Sequence, residues 1–159
     1  MPATSRRKQT IGLLAAVVFV VGFALLYLQS HNAKNRLNDA RDSVKANAAR
    51  YTAAVVSALQ AGPVTGQQLL DLREPAYQDG GGLAQGIEHV GGRNTAVGVT
   101  VTFRVQVNFK GSFNTSVDTS SCFRTTVTHS TAISIDPPPT IDCADLLPDI
   151  DPTAVLTLP

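Results

Sequence analysis

The chain lacks the charge pattern of a nucleic-acid-binding protein. Its 159 residues include 13 Lys and Arg against 12 Asp and Glu, a formal net charge of +1. No block of basic residues is present that could neutralise a run of phosphates. We therefore expect no nucleic-acid partner. The length is that of one domain, which excludes a large multidomain enzyme.

The chain also has few of the residues that carry catalysis. It contains three histidines, His31, His89 and His129, and none of the motifs G-x-S-x-G, H-E-x-x-H or S-x-x-K. A catalytic role would have to fall on His129, or on His89 with the adjacent Glu88. A solvated loop position for His89 and a strand position with a local partner for His129 are simpler interpretations. We therefore expect that the protein is not an enzyme.

Sites for metals and phosphorylated cofactors are not indicated either. Asp149 and Asp151 begin like a calcium-binding loop, but Pro152 and the missing glycine and glutamate break that pattern. Residues 79–94 hold six glycines, whose spacing matches neither the dinucleotide-binding motif nor the P-loop. We expect no metal and no cofactor, and we interpret residues 79–94 as a flexible loop.

One feature that is present is a long apolar run. Residues 11–28 contain no charged side chain, and only Gly12 and Gly22 fall outside the hydrophobic set. A membrane-spanning helix needs about 18 to 20 apolar residues. We therefore predict a transmembrane helix over residues 11–28, with the lipid bilayer as a partner. A cleaved signal peptide is the main alternative, but its apolar region is normally about 7–15 residues long and ends at a small-x-small site, which residues 28–33 do not offer clearly.

Basic residues before the apolar run indicate its orientation. Arg6, Arg7 and Lys8 lie in the leader of residues 1–10, on the flank that the positive-inside rule places in the cytoplasm. The number of basic residues alone does not determine the orientation, because three of them also follow the run closely: Lys34, Arg36 and Arg41. We expect the protein in the cytoplasmic membrane, with the N-terminus inside and the C-terminal domain extracytoplasmic.

Residues 29–62 carry the pattern of an amphipathic α-helix. Gly62 and Pro63 end the pattern. A helix of this length can continue directly from the membrane span, and we expect its stripe to cover the domain's own sheet; a coiled-coil partner is the alternative. The stripe consists of seven apolar residues with a mean spacing of about 3.7: Leu37, Ala40, Val44, Ala48, Tyr51, Val55 and Leu59.

Residues 63–94 are predicted to hold a short helix before the glycine-rich loop. Thr65 and Gln68 fit a capping box, in which each side chain accepts a hydrogen bond from the other residue's backbone N–H. Pro75 is expected to end this helix.

Residues 95–143 are predicted to form an antiparallel sheet. Apolar residues alternate with polar ones over residues 97–109, a second alternation runs over 123–135, and residues 113–117 fit an additional short strand. One apolar and one polar face is typical of an antiparallel sheet that is covered on one side. Three prolines at 137–139 are expected to end the sheet.

The remaining residues, 144–159, form an acidic tail that contains proline and no basic residue. We expect irregular structure there, fixed near its start and frayed at its end. The predicted fold class is therefore α+β: a single N-terminal transmembrane helix, then a long amphipathic helix packed on a small antiparallel β-sheet.

The two cysteines, Cys122 and Cys143, are predicted to form a structural disulfide. No Cys or His lies at zinc-ligand spacing from either residue. Closing this loop would stabilise the fold by about 3 kcal/mol and would tie the tail to the sheet. Free thiols are the alternative. Because structural disulfides persist outside the cytoplasm, the bond would also support an extracytoplasmic domain.

The layout of anchor, continuing helix, loop, sheet and C-terminal cysteine loop is similar to that of type IV pilins and pseudopilins. Those families carry a glutamate five residues into the apolar run, whereas residues 11–28 contain no acidic residue. The layout also resembles the small anchored accessory subunits of bacterial export and lipid-uptake systems. No motif assigns the chain to a family.

These features favour a single-pass anchored protein of the bacterial cell envelope. Its outer domain would be non-catalytic and would bind a protein partner or a second copy of the chain. An excess of arginine over lysine, nine against four, suggests the bacterial source. The alternatives are a sensory or ligand-binding domain, with a pocket between residues 79–94 and the sheet, and a pilin-like subunit without the processing motif.

Overall fold

The structure is a computed structural model of the chain. It describes residues 3–73, 85–110, 116–134 and 136–159, with side chains described from residue 18 onwards and not at residues 85, 110 and 116. The fold is α+β, with one long helix packed on an antiparallel sheet.

Helix α1 (Ala3–Ala61) runs without a break for 59 residues, about 88 Å at 1.5 Å per residue. It joins the predicted apolar segment and the predicted amphipathic segment in one helix. It ends before Gly62, which adopts a φ of +152° that favours glycine, and Pro63 follows. The expected end of the helix is confirmed.

The predicted stripe on α1 is confirmed as the buried face of the helix. Leu37 is half-buried at the start of the stripe, and all six later members are buried: Ala40, Val44, Ala48, Tyr51, Val55 and Leu59.

Over the residues that the structure describes, no helix is long and apolar enough to cross a membrane. Residues 11–17 of the predicted span have side chains outside that description. The transmembrane helix over residues 11–28 therefore stays a prediction.

Four strands form the main sheet, in the order β2-β3-β4-β5, and every neighbouring pair is antiparallel. Their bounds are β2 (Gln85–Thr95), β3 (Gly98–Lys110), β4 (Ser116–Val127) and β5 (Thr140–Ile141). A second sheet pairs two short strands, β1 (Val64–Thr65) and β6 (Val155–Leu156).

A short helix, α2 (Gly66–Asp71), begins with the capping box that the sequence predicts. Thr65 Oγ1 accepts a hydrogen bond from the Gln68 backbone N–H at 3.2 Å, and Gln68 Oε1 accepts one from the Thr65 N–H at 2.8 Å. The C-cap is Leu72, before the predicted end at Pro75, which lies outside the described residues.

One face of the sheet packs on α1 and forms the core. The Tyr51 ring of α1 meets the Phe103 ring edge-on at 4.8 Å, and Phe103 stacks on Phe123 of β4 at 5.6 Å. All alternate residues of β3 on this face are buried, as predicted: Val99, Val101, Phe103, Val105, Val107 and Phe109. Val97 was expected to belong to this set, but it lies in the turn before β3 and is 67% exposed.

The interpretation of residues 79–94 as a loop is wrong over residues 85–94, which belong to β2. Residues 79–84 lie outside the described part of the chain. The glycines here permit close packing on a strand. A Cβ on Gly91 would stand 2.7 Å from atoms of Leu147, and one on Gly92 would stand 3.0 Å from Ile150.

The strand predicted over residues 123–135 is correct only to Val127, where β4 ends. Its partner β3 begins at Gly98, one residue before the Val99–Val127 pair, so only Gly98 remains opposite a longer strand. The chain turns instead, and Thr131 N–H bonds the Thr128 carbonyl at 3.1 Å.

The additional strand predicted over residues 113–117 is not separate, since residues 116 and 117 belong to β4 and residues 111–115 lie outside the described part. The prolines at 137–139 do not end the sheet, because β5 follows them and pairs with β4. Pro139 itself accepts a backbone hydrogen bond from Arg124 at 3.2 Å, for which proline needs no N–H.

The expectation of a frayed C-terminal tail is also wrong. Gly66 N–H bonds the Ala154 carbonyl at 2.7 Å, and β6 pairs with β1. Leu156 and Leu158 are buried in the core, at 2% and 9% exposure. Backbone pairing with β1 and the burial of these two leucines order the end of the tail.

Candidate interaction surface

The face of the main sheet opposite α1, which we call the back face, carries polar side chains. It carries the residues of β3 that alternate with the core residues, beginning with Thr100, Thr102 and Arg104, and their partners on β4, Thr126, Arg124 and Cys122. A C-terminal segment, which we call the strap (residues 142–150), crosses this face.

The strap is attached first by the predicted disulfide, which is confirmed. Cys122 of β4 is 1% exposed, and Cys143 lies in one turn of 3-10 helix (Cys143–Asp145) at the start of the strap. Their Cα atoms are 5.3 Å apart. Arg124, two residues along β4, donates from Nη2 to the Asp145 carbonyl at 3.0 Å. The disulfide and this hydrogen bond fix the first turn of the strap to β4.

The strap then passes over the centre of the sheet to its other edge. The Leu147 N–H bonds the hydroxyl of Thr102, which is fully buried, at 3.0 Å. The Ile150 N–H bonds the Val90 carbonyl of the edge strand β2 at 2.9 Å. The strap therefore links β4, β3 and β2, and gives a buried hydroxyl of the back face its hydrogen-bond partner.

His89 holds the strap at a bulge in β2. The pairing of β2 with β3 shifts between Glu88 and Val90, and His89 there adopts a φ of +45°. Its Nδ1 lies 2.8 Å from Asp149 Oδ1, and its Nε2 lies 2.8 Å from the Leu147 carbonyl oxygen. The two ring nitrogens therefore contact two residues of the strap, Asp149 and Leu147. His89 is thus a structural contact of the strap and not a loop residue.

The other two histidines lie on separate elements. His129 falls in the turn after β4, where its Nε2 is 2.7 Å from the Pro159 backbone oxygen, and is not on a strand as expected. His31 lies on α1 beside the Tyr27 ring at 6.4 Å. The structure therefore does not bring the three histidines together.

The acidic residues of the tail have structural contacts. Asp149 faces His89, and Asp151 accepts hydrogen bonds from the N–H and the hydroxyl of Thr153, at 2.8 and 2.7 Å. These bonds to Thr153 hold the pKa of Asp151 below its usual value, although the carboxyl is exposed. Within the described part of the chain, no group of three or more His, Cys, Asp or Glu residues could hold a metal ion.

Arg6, Arg7 and Lys8 lie in the first turns of α1, but their side chains are outside the described part. Their role in membrane topology remains a prediction from the sequence.

Tyr51 links α1 to α2 beneath the core face of the sheet. Its hydroxyl donates to the Leu69 carbonyl at 3.0 Å, and the side chain is fully buried. Burial raises the pKa of Tyr51 well above its ordinary value, and the charge of Arg73 opposes this shift in part. The contact positions the end of α1 against the elements that pair with the tail.

Arg104 is a back-face residue that the sequence reasoning did not single out. It is half-buried, its Nη2 donates to Ser120 Oγ at 3.3 Å, and its Nε is buried without a hydrogen-bond partner. Alternation predicted only that Arg104 lies on the polar face. Nothing in the pattern shows that the guanidinium is partly covered.

Comparison with known proteins assigns no relative to this chain. No family model matches the sequence, and no curated protein or solved structure is detectably similar to it.

Proposed function

We propose that this protein is a single-pass membrane-anchored component of the bacterial cell envelope, whose extracytoplasmic α+β domain binds a protein partner. The observation that carries the proposal is the apolar part of α1. Its large side chains between residues 18 and 28 are 52–75% exposed and lie all around the helix.

A helix that is apolar on every side needs an apolar environment on every side. Residues 18–28 belong to the uncharged run that starts at residue 11, so the run has about the length of a bilayer's hydrocarbon core. The backbone of α1 satisfies its own hydrogen bonds in this stretch, as a lipid environment requires. The lipid bilayer is the partner that fits this part of the helix best.

Two features support an extracytoplasmic position for the domain. The Cys122–Cys143 disulfide is typical of oxidising compartments. Arg6, Arg7 and Lys8 precede the apolar run, on the flank that remains in the cytoplasm under the positive-inside rule.

The continuity of α1 supports a role in holding a partner near the membrane. Residues 40–59 of α1 are part of the domain core, and residues 18–28 belong to the same helix. The domain would therefore be held about 16 Å beyond the anchor, since residues 29–39 span that length. A ligand pocket between residues 79–94 and the sheet has less support, because residues 85–94 form β2 within the sheet.

Fractionation of cells that express the full chain tests the anchor. The double substitution Val21→Asp with Leu25→Asp places two charges in the apolar run, each costing about 2.5–3.5 kcal/mol at the centre of a bilayer. We expect it to move the protein from the membrane fraction to the soluble fraction. Val97→Asp is the matched control, since Val97 is also exposed and apolar but lies in the domain. Equal membrane retention of all three proteins would overturn the proposal.

A further inference from the structure

We infer that Arg104, on the back face of the sheet, binds a carboxylate group. The inference deepens the proposed interaction role and rests on it, because it names the chemistry through which the domain would recognise a partner.

The guanidinium of Arg104 has unused hydrogen-bonding capacity. An arginine side chain carries five N–H donors. Nη2 donates a hydrogen bond to Ser120 Oγ at 3.3 Å, and this distance is long for a hydrogen bond from a charged donor. Nε is buried and has no partner, whereas nearly all buried N–H groups in proteins have one. The half-buried guanidinium therefore keeps N–H donors that are not used within the described residues.

The charge of Arg104 is not neutralised within the described residues. Glu88 of β2 lies opposite Arg104 in the sheet register, yet the two side chains form no ion pair. The guanidinium turns instead towards Ser120 of β4, diagonally across the strand pair. A half-buried cation without a counter-charge is costly unless an anion is bound, and this points to an anionic ligand.

The surroundings favour a singly charged, planar ligand. Gln106 follows Arg104 on the same face and pairs with Ser120, so an amide and a hydroxyl flank the guanidinium. Glu88 and Asp118 also lie on this face, and they repel a doubly charged phosphate about twice as strongly as a singly charged ligand. A carboxylate carries one charge, and its two oxygens match the fork of the guanidinium.

A carboxylate can come from a protein side chain or from a small molecule, and a titration separates these sources. The full chain in detergent micelles is labelled with ¹⁵N, and the arginine Nε–H signals are followed with acetate, with inorganic phosphate and with the peptide acetyl-Gly-Glu-Gly-amide. We expect acetate and the peptide to shift the Arg104 signal. Binding of the peptide about tenfold tighter than acetate identifies a protein side chain as the source, and equal binding identifies a small carboxylate.

Substitutions test whether the binding measured in the titration depends on Arg104. Arg104→Gln is expected to abolish the effect, and Arg104→Lys, which keeps the charge without the fork, to weaken peptide binding about tenfold. Arg93→Gln is the matched control, because Arg93 is an exposed arginine of β2, and it should bind like the wild type. If Arg104→Gln does not fold, the titrations of Arg104→Lys and of the wild type still test whether Arg104 binds a carboxylate.

Three results would overturn the inference: no shift with either carboxylate, tighter binding of phosphate than of acetate, or an equal loss in the Arg93 control. None of them bears on membrane fractionation, so the inference and the anchor can fail separately.

Discussion

The disulfide between Cys122 and Cys143 joins a buried position on the back face of β4 to the first turn of the strap. From this bond the strap continues over Thr102 to Val90 on the opposite edge of the sheet. The disulfide therefore fixes one end of the strap, and the other end enters the core through Ile150. The tail and the sheet therefore form one structural unit.

Removing the disulfide should loosen the strap and leave the core in place. The double substitution Cys122→Ala with Cys143→Ala is expected to lower the free energy of unfolding by about 3 kcal/mol, because the loop of 21 residues is no longer closed in the unfolded chain. Urea unfolding followed by circular dichroism measures the change. Addition of a reductant should lower the stability of the wild type by a similar amount and leave the variant unchanged. A variant as stable as the oxidised wild type would contradict this role.

The strap also requires a glycine beneath it. A Cβ at position 91 would lie 2.7 Å from the backbone oxygens of Leu147 and Pro148, so Gly91→Ala should destabilise the domain by about 1–3 kcal/mol. Gly86→Ala is the matched control. Gly86 lies on the same face of β2 with nothing within 4 Å of the added Cβ, and its substitution should change the stability by less than about 0.5 kcal/mol. Equal melting temperatures for the two variants would show that the strap does not press on β2.

Two substitutions at His89 separate the contribution of the backbone conformation to stability from that of the side-chain contacts. Replacement by alanine removes both contacts of the imidazole and leaves a Cβ at a φ of +45°. Glycine removes the same contacts but adopts this φ without strain. We expect His89→Ala to be less stable than His89→Gly by about 1 kcal/mol in urea unfolding. The opposite order would show that the left-handed conformation is not adopted in solution.

Tyr51 should make the domain sensitive to alkali. Burial raises the folded-state pKa of Tyr51, so its stabilising contribution is complete below the unfolded-state value of about 10 and is lost as the pH rises above it. Tyr51→Phe should cost about 1–2 kcal/mol at pH 7, since the buried Leu69 carbonyl loses its donor. The same variant should lose less stability than the wild type between pH 9 and pH 11. Parallel pH profiles of the two proteins would contradict the buried position of this hydroxyl.

Local sequence patterns predicted the elements that are defined by local rules. The stripe from Ala40 to Leu59 sets the buried face of α1, and the capping box at Thr65 and Gln68 starts α2. The alternation also predicts β3, and the presence of two cysteines predicts the disulfide. Periodicity, cap chemistry and cysteine count are properties of the sequence itself.

The remaining elements depend on contacts between distant residues. The sequence does not predict β2, because glycines such as Gly91 and Gly92 are typical of loops. In the structure these two glycines leave room for Leu147 and Ile150. The prediction of a frayed tail is wrong because the tail is ordered by its pairing with β1, which is far away in the sequence. Alternation after Val127 does not produce a strand, because β3 extends only one residue, Gly98, beyond the Val99–Val127 pair.

The same limit applies to the candidate carboxylate site. The sequence places Arg104 on a polar face, but its partial burial and its incomplete hydrogen bonding arise from the packing around it. These features can only be seen once the sheet register and the strap are known.

Alkaline carbonate extraction of membranes from cells that express the full chain tests whether the apolar part of α1 anchors the protein in a bilayer. Carbonate releases peripheral proteins, whereas a helix that spans the hydrocarbon core remains in the membrane. We expect the protein to stay in the membrane pellet and to enter solution only with detergent. Complete release into the carbonate supernatant would contradict this expectation.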